Sequence, residues 1–152
     1  MIEAHTPPPV LITHEGGLKF AAQVRSHRIV TDQPERAGGE DAGPSPLELL
    51  SMSLGSCVAL YVQRFLYSRA LPYEGMRVAV AQRATGTPGR VGEFVVRVVL
   101  PAELPEHAME MLERVARSCP AHNTLHHGAS VAVHIDVPSG AGHQIMNMGT
   151  IQ

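Results

Sequence analysis

The chain lacks the features that would place it on nucleic acid or at a membrane. Its 152 residues carry 12 lysines and arginines against 14 acidic residues, a formal net charge of −2, and the cations do not cluster. A basic patch for nucleic acid or an anionic lipid surface is therefore absent. No run approaches about 18 uninterrupted apolar residues, and the first ten residues do not resemble a secretory signal. We predict a cytoplasmic protein with no nucleic-acid or membrane partner.

Cysteine is equally scarce, with only Cys57 and Cys119 present. Since a cytoplasmic protein keeps its thiols reduced, a bond between these two is predicted to be transient rather than structural. Internal repeats and low-complexity blocks are also missing, and 16.3 kDa fits one domain. We predict a single domain over residues 1–152, in which 1–9 form an extended, proline-terminated arm and 138–152 a loosely held tail.

The most informative stretch runs from Gly38 to Arg69 and predicts a long core helix. Ser45-Pro46-Leu47-Glu48 has the pattern of a capping box, with Ser45 at the N-cap and Pro46 at the first helical position. Apolar residues then recur at steps of three or four, which predicts a buried stripe about six turns long. The stripe comprises Leu47, Leu50, Leu54, Cys57, Tyr61 and Phe65.

Small side chains are concentrated in two turns of this helix, at Ser51, Ser53, Gly55, Ser56 and Ala59. Glycine inside a helix costs about 1 kcal/mol relative to alanine, so its presence needs a reason. We expect a close neighbour there. A second helix, a substrate and the same helix of a second copy are the three candidates.

The remaining pattern predicts an α+β fold of antiparallel hairpins and two helices. A polar, glycine-rich connector spans Pro34 to Pro46, and Leu71-Pro72 ends the long helix. The second helix follows Pro105 and is ended by Pro120, so Cys119 is predicted at its C-terminal end, where the helix dipole opposes a thiolate. Alternating residues predict strands over 10–14, 18–24, 27–30, 76–80, 93–100 and 131–137.

Activation of Cys57 as a thiolate would need a nearby cation, because it lies twelve residues beyond the helix start and the dipole fades within one turn. Spacing alone does not choose among Arg25, Arg28, Arg36 and Arg64. We favour Arg36, since a flexible connector can place its guanidinium over a helix face.

Two segments together, GGEDAGPSPLELLSMSLGSC and LERVARSCPAHNTL, resemble the OsmC family, which includes the organic hydroperoxide resistance (Ohr) proteins. The form GPSPxELL…GxC resembles one branch of that family, and the resemblance covers about residues 10–137. It implies antiparallel sheets packed on a long cysteine-bearing helix, in an intertwined homodimer with its active site at the subunit boundary. It implies no cofactor and no metal.

The same resemblance implies a thiol-dependent peroxidase of the oxidative stress response. Cys57 would attack an organic hydroperoxide to give a sulfenic acid and an alcohol. Cys119 would resolve the sulfenic acid as a disulfide, which an external dithiol then reduces. The catalytic set that we predict adds to these cysteines Arg36, chosen for its place in the connector, and Glu48.

Glu48 departs from the family pattern. In the hydroperoxide-resistance branch a glutamate directly follows the proline of the helix start and pairs with the activating arginine, whereas Leu47 holds that place here. Nine residues, about 2.5 turns, separate Glu48 from Cys57 and put them on opposite faces of a helix. A capping role therefore explains Glu48 better than a catalytic one.

Two other functions are compatible with the sequence. Cys119 and His122 have C-x-x-H spacing, and with His126 and Cys57 they could form a tetrahedral zinc site. Alternatively, the protein is a non-enzymatic dimeric module that binds a small hydrophobic ligand at the subunit interface. Seven methionines and few aromatic residues are compatible with such an adaptable pocket.

Overall fold

The computed structural model describes residues 7–87 and 89–137, which fold into two compact units. The first unit comprises the described residues up to Pro46 together with 131–137, and the second comprises Leu47–Ser130. The predicted tail over 138–152 and most of the predicted arm over 1–9 lie outside the described residues.

The first unit contains a three-stranded antiparallel sheet in the order β1-β2-β3. Its strands are β1 (Leu11–His14), β2 (Phe20–Val24) and β3 (His27–Thr31). The central strand pairs on both sides, with Ala22 opposite Ile12 on one side and Ile29 on the other. All three predicted strands are confirmed, with ends shifted by one or two residues.

The connector after β3 is folded around a buried carboxylate. Asp32, 1% exposed, accepts hydrogen bonds from the backbone N–H groups of Gln33, Glu40 and Ala42 at 2.8, 2.9 and 3.1 Å. Burial alone would raise the pKa of Asp32, but these three hydrogen bonds outweigh it and hold the pKa below the ordinary 3.8. A Cβ at Gly39 would lie 1.9 Å from the Gln33 carbonyl oxygen. The connector thus has a defined, hydrogen-bonded shape, whereas its glycine-rich composition suggests a flexible linker.

The second unit packs three helices with an antiparallel hairpin. Its core joins residues of the two longer helices, Leu54, Val58, Val62, Phe65, Leu66 and Leu112, with Cys119. Its elements are α1 (Pro46–Ser68), β4 (Arg77–Thr85), β5 (Arg90–Val99), α2 (Glu106–Arg117) and α3 (Pro120–His127). The long helix begins at the predicted proline, and the α+β class is confirmed.

The buried face of α1 differs from the predicted stripe. Leu54 and Phe65 are buried as expected, but Leu47 and Leu50 are 50% and 37% exposed, while Val58 and Val62 are buried in their place. The reason is that apolar residues occur all around this helix, so periodicity does not select one face. By length and composition alone α1 could cross a membrane, yet it supplies most of the core of its unit.

Two features of the C-terminal third differ from the prediction. Pro120 lies just beyond the end of α2, as predicted, but it also begins a third helix, α3, because the first helical position tolerates proline. Residues 131–137 form no strand in the described chain, and Val131, Val133, Ile135 and Val137 are 78–88% exposed. An alternating segment becomes a strand only where a sheet edge pairs with it, and this one has none within the described residues.

The close neighbour of the small residues on α1 is the strand β4, which was not among the three predicted candidates. A Cβ added at Gly55 would lie 2.9 Å from Val80 Cγ2. One turn earlier, Ser51 donates a hydrogen bond to Gln82 Oε1 at 3.0 Å. Gly55 therefore lets the helix lie directly on the hairpin.

Substitution of Gly55 by valine should destabilise the protein by about 1–3 kcal/mol, because the new side chain overpacks against Val80. Urea unfolding at a fixed protein concentration measures the difference. Ser56→Val, at the adjacent exposed position, is the matched control and should change stability by no more than about 0.5 kcal/mol. Equal effects of the two substitutions would contradict the close packing of α1 on β4.

Candidate active site

The two cysteines meet in the core of the second unit. Cys57, in the middle of α1, is half-buried and packs against the apolar cluster that contains the fully buried Cys119. Cys57 is close enough to Cys119 to raise the pKa of that thiol. Two residues that are 62 positions apart in the sequence are therefore brought together in one cluster, as a thiol pair that exchanges oxidation requires.

Cys119 does not occupy the helix C-terminus that the sequence predicts. Ser118 caps the end of α2, and Cys119 is the N-cap of α3, where its Sγ accepts a hydrogen bond from the backbone N–H of His122 at 3.3 Å. The sulfur thus faces the positive end of a helix dipole.

Burial nevertheless dominates the ionisation of Cys119. It raises the pKa above the ordinary 9.0, the contact with Cys57 raises it further, and the hydrogen bond from His122 offsets only part of this increase. Cys119 is consequently a neutral thiol at pH 7. A neutral, fully buried thiol is a poor nucleophile toward a substrate that arrives from solvent. It is better suited to react with a neighbouring sulfur.

The other two predicted site residues lie at exposed positions. Arg36 belongs to a 3-10 turn (Glu35–Ala37) in the connector of the first unit. Glu48 lies in the first turn of α1, about 13 Å along the helix axis from Cys57. Of the other candidate arginines, Arg28 is paired with Glu15, whereas Arg64 is exposed on α1. The assignment of a cation to Cys57 stays a prediction.

A cavity of about 510 Å³ lies between α1, β5 and α2. Val58 and Val62 of α1, Phe94 and Val96 of β5 and Leu112 of α2 form much of its apolar wall, and His122 of α3 contributes an imidazole. The volume and the mainly apolar lining are typical of a site for a small organic molecule.

His122 is a residue whose importance the sequence did not reveal, except as a metal-ligand candidate. Its ring stacks on that of His126, with centroids 5.6 Å apart and planes inclined at 13°. Its Nδ1 is buried and has no hydrogen-bond partner within the described residues. The signal in the sequence is the CPAHNTLHH run. Its proline marks a helix start, so Cys119 becomes the N-cap and its side chain accepts a hydrogen bond from the backbone N–H of His122.

The zinc arrangement considered from the sequence is not formed. Across residues 7–87 and 89–137, no group of three or more His, Cys, Asp or Glu side chains has a geometry that could hold a metal ion. The His126 ring instead stacks with that of His122 and meets that of His127 edge to face.

Comparisons with known proteins point to one family. Residues 38–134 match the family model described as OsmC-like protein. A comparison with curated protein sequences gives no match.

Solved structures share the fold at low sequence identity. An osmotic stress induced and detoxification response protein from Psychrobacter arcticus 273-4 has a TM-score of 0.72 at 22% identity, covering 81% of this chain and 91% of that one. An OsmC-like protein from Mycoplasma pneumoniae gives 0.64 at 20% identity, covering 80% and 89%. An organic hydroperoxide resistance protein OsmC from Legionella pneumophila gives 0.58 at 18% identity, covering 78% and 89%.

The two thiols should react with iodoacetamide at very different rates in the native, reduced protein. We expect Cys57 to be modified at least tenfold faster than Cys119 at pH 8, because Cys119 has no exposed surface and a raised pKa. Peptide mass spectrometry over a time course measures both rates. In urea-unfolded protein the rates should converge, and similar rates in the native state would contradict the burial of Cys119.

Proposed function

The chain belongs to the OsmC family, and from that premise we propose that it is a thiol-dependent peroxidase that reduces organic hydroperoxides in oxidative stress defence. The observation that carries the proposal is that a half-buried and a fully buried thiol share one apolar cluster, close enough for Cys57 to raise the pKa of Cys119. The Legionella pneumophila protein of the same fold is itself described as an organic hydroperoxide resistance protein.

In the proposed reaction the Cys57 thiolate attacks the distal oxygen of the hydroperoxide. The O–O bond breaks, Cys57 becomes a sulfenic acid, and the alkoxide takes a proton and leaves as an alcohol. Cys119 then attacks the Cys57 sulfur, releasing the hydroxyl group as water and leaving a disulfide. An external dithiol supplies the two electrons that restore both thiols.

Arg36 is the proposed activating cation. A guanidinium close to Cys57 would stabilise the thiolate and the charge that develops on the leaving oxygen. The turn that carries Arg36 lies within the connector built around Asp32, which gives this part of the loop a defined shape. Glu48 is assigned a structural role at the start of α1, where an acidic side chain in the first turn interacts favourably with the helix dipole.

We further propose that the working protein is an intertwined cytoplasmic homodimer, each chain being one OsmC-like domain over residues 1–152. Proteins of this family are soluble, so the apolar surface of α1 is expected to pack against protein. The single chain leaves Leu47, Met52, Leu60 and Tyr67 of α1 45–68% exposed, and the 131–137 segment is exposed as well. A second copy would cover both surfaces, since exposed apolar patches of this kind mark interfaces.

Sedimentation velocity of the reduced protein should give a particle of twice the 16.3 kDa chain mass. Leu60→Glu combined with Met52→Glu should shift the equilibrium strongly toward monomer, because two charges would be buried on the α1 surface. Glu106→Lys, at an exposed position of α2, is a charge-changing control that should leave the dimer intact. A wild-type monomer at tens of micromolar would contradict the homodimer.

Titration with cumene hydroperoxide should consume two thiols per wild-type chain. Cys57→Ser should abolish peroxide-dependent thiol loss. Cys119→Ser should permit one turnover and leave a sulfenic acid that a dimedone probe traps. Thiol assays and mass spectrometry follow both, and equal reactivity of the two variants would contradict the assigned roles.

Arg36→Gln provides the test of the activating cation in the same assay. We expect it to slow the first step at least tenfold, whereas the matched control Arg64→Gln should leave the rate unchanged.

The cavity beside α1 favours a second candidate function, that of a dimeric module which binds a small hydrophobic ligand without chemistry. The peroxide titration separates the two. A binding module would lose its thiols only at the rate of an unactivated cysteine, and the Cys57→Ser and Cys119→Ser variants would then behave alike.

A further inference from the structure

We infer that Asp32 is a positioning residue for the proposed redox reaction, because its carboxylate closes the loop over residues 33–42 at the base and so fixes where that loop holds Arg36. The inference rests on the proposed function and deepens it, since Arg36 is the cation proposed to activate Cys57. The effect of Asp32 on the reaction passes through Arg36 alone.

The first argument is the way in which the loop is closed. Asp32 is 1% exposed, and each of its carboxylate oxygens binds one end of the loop. Oδ1 accepts from the backbone N–H of Gln33 at the start, and Oδ2 accepts from those of Glu40 and Ala42 at the end. Hydrogen bonds to an ionised acceptor are about twice as strong as those between neutral groups. One side chain therefore joins the two ends of the loop.

The second argument is the close packing at the base of the loop. A Cβ added at Gly39 would lie 1.9 Å from the carbonyl oxygen of Gln33 and 2.8 Å from Asp32 Oδ1. Lys19, the residue before β2, holds the carboxylate of Glu40 at 2.8 Å and so ties the same end of the loop to the sheet. The base of the loop is thus fixed relative to the sheet of the first unit.

The third argument is the state of Arg36 itself. It is exposed and lies in the 3-10 turn near the middle of the loop. Within residues 7–87 and 89–137 its guanidinium has no hydrogen bond or ion pair, whereas Lys19 beside the same loop is paired with Glu40. Since no side-chain bond holds Arg36, its place is set by the backbone that carries it, and Asp32 shapes that backbone.

A double-mutant cycle on the full chain separates positioning of Arg36 from simple stabilisation of the fold. Asp32→Asn keeps the size of the side chain but removes its charge and replaces one acceptor by a donor, so it should loosen the closure. We expect it to slow both the alkylation of Cys57 by iodoacetamide and its oxidation by cumene hydroperoxide about fivefold or more. In an Arg36→Gln background it should change either rate less than about twofold, because the guanidinium is already absent.

The pH dependence of alkylation supplies a readout that a loss of stability alone does not move. In folded Asp32→Asn the midpoint of the pH–rate profile of Cys57 should move to higher pH, as it should in Arg36→Gln. Peptide mass spectrometry measures the rate at Cys57 separately from that at Cys119.

Thr31→Val is the matched control for Asp32→Asn. Thr31 is the buried neighbour of Asp32, and its hydroxyl donates to the carbonyl of Phe20 and not to the loop. The substitution should leave both rates and the pH midpoint unchanged.

A second variant opens the loop without changing any charge and replaces Asp32→Asn should that protein fail to fold. In Gly39→Ala the new methyl group would clash with the carbonyl of Gln33, so the same slowing is expected, again only when Arg36 is present. Gly89→Ala is its control, because nothing lies within 4 Å of a Cβ added there.

Equal effects of Asp32→Asn in the two backgrounds, or an unchanged alkylation rate of Cys57 in the folded variant, would overturn the inference. Alkylation needs no peroxide chemistry, so the two proposals can fail separately. If the alkylation rates follow the cycle while the wild-type protein consumes no peroxide, the role of Asp32 stands and the peroxidase proposal fails. If the wild-type and Asp32→Asn proteins consume peroxide equally fast, the peroxidase proposal stands and the role of Asp32 fails.

Discussion

The second unit depends on the burial of a thiol at the junction of three helices. Cys119 has no exposed surface, lies in the cluster formed with α1 and α2, and begins α3. Only Ser118 separates the end of α2 from it, so the chain must turn sharply at this point. Because burial keeps the sulfur neutral, the apolar core tolerates it without a buried charge. Cys57 packs against the same cluster from α1 and so lies near the buried sulfur.

The elements with strong local signals could be predicted from the sequence. The helix start at Pro46, the two hairpins and α2 have start, stop or alternation signals that do not depend on distant residues. Two kinds of element could not be predicted. In one, the same residue follows one helix and begins the next; in the other, a strand forms only if another strand pairs with it. Pro120 both ends one helix and begins another, and residues 131–137 alternate like a strand but lack an edge to pair with in the described chain.

The candidate site was predictable only in part, for related reasons. The two cysteines stood out because there are no others, and the family resemblance linked them. His122 did not, since its significance comes from a buried ring nitrogen beside a cavity that sequence spacing does not reveal. The buried face of α1 was misassigned because a helix that is apolar on all sides has no single stripe. A pattern can identify which residues are apolar, but only packing decides which of them are covered.

The carboxylate of Asp32 sets how the connector that carries Arg36 responds to pH. Its three backbone hydrogen bonds are stronger to the ionised form, and its pKa lies below 3.8, so protonation does not weaken them anywhere near neutrality. Acidification within the range that living cells tolerate leaves this anchor in place. The turn that carries Arg36 therefore keeps its shape across that range.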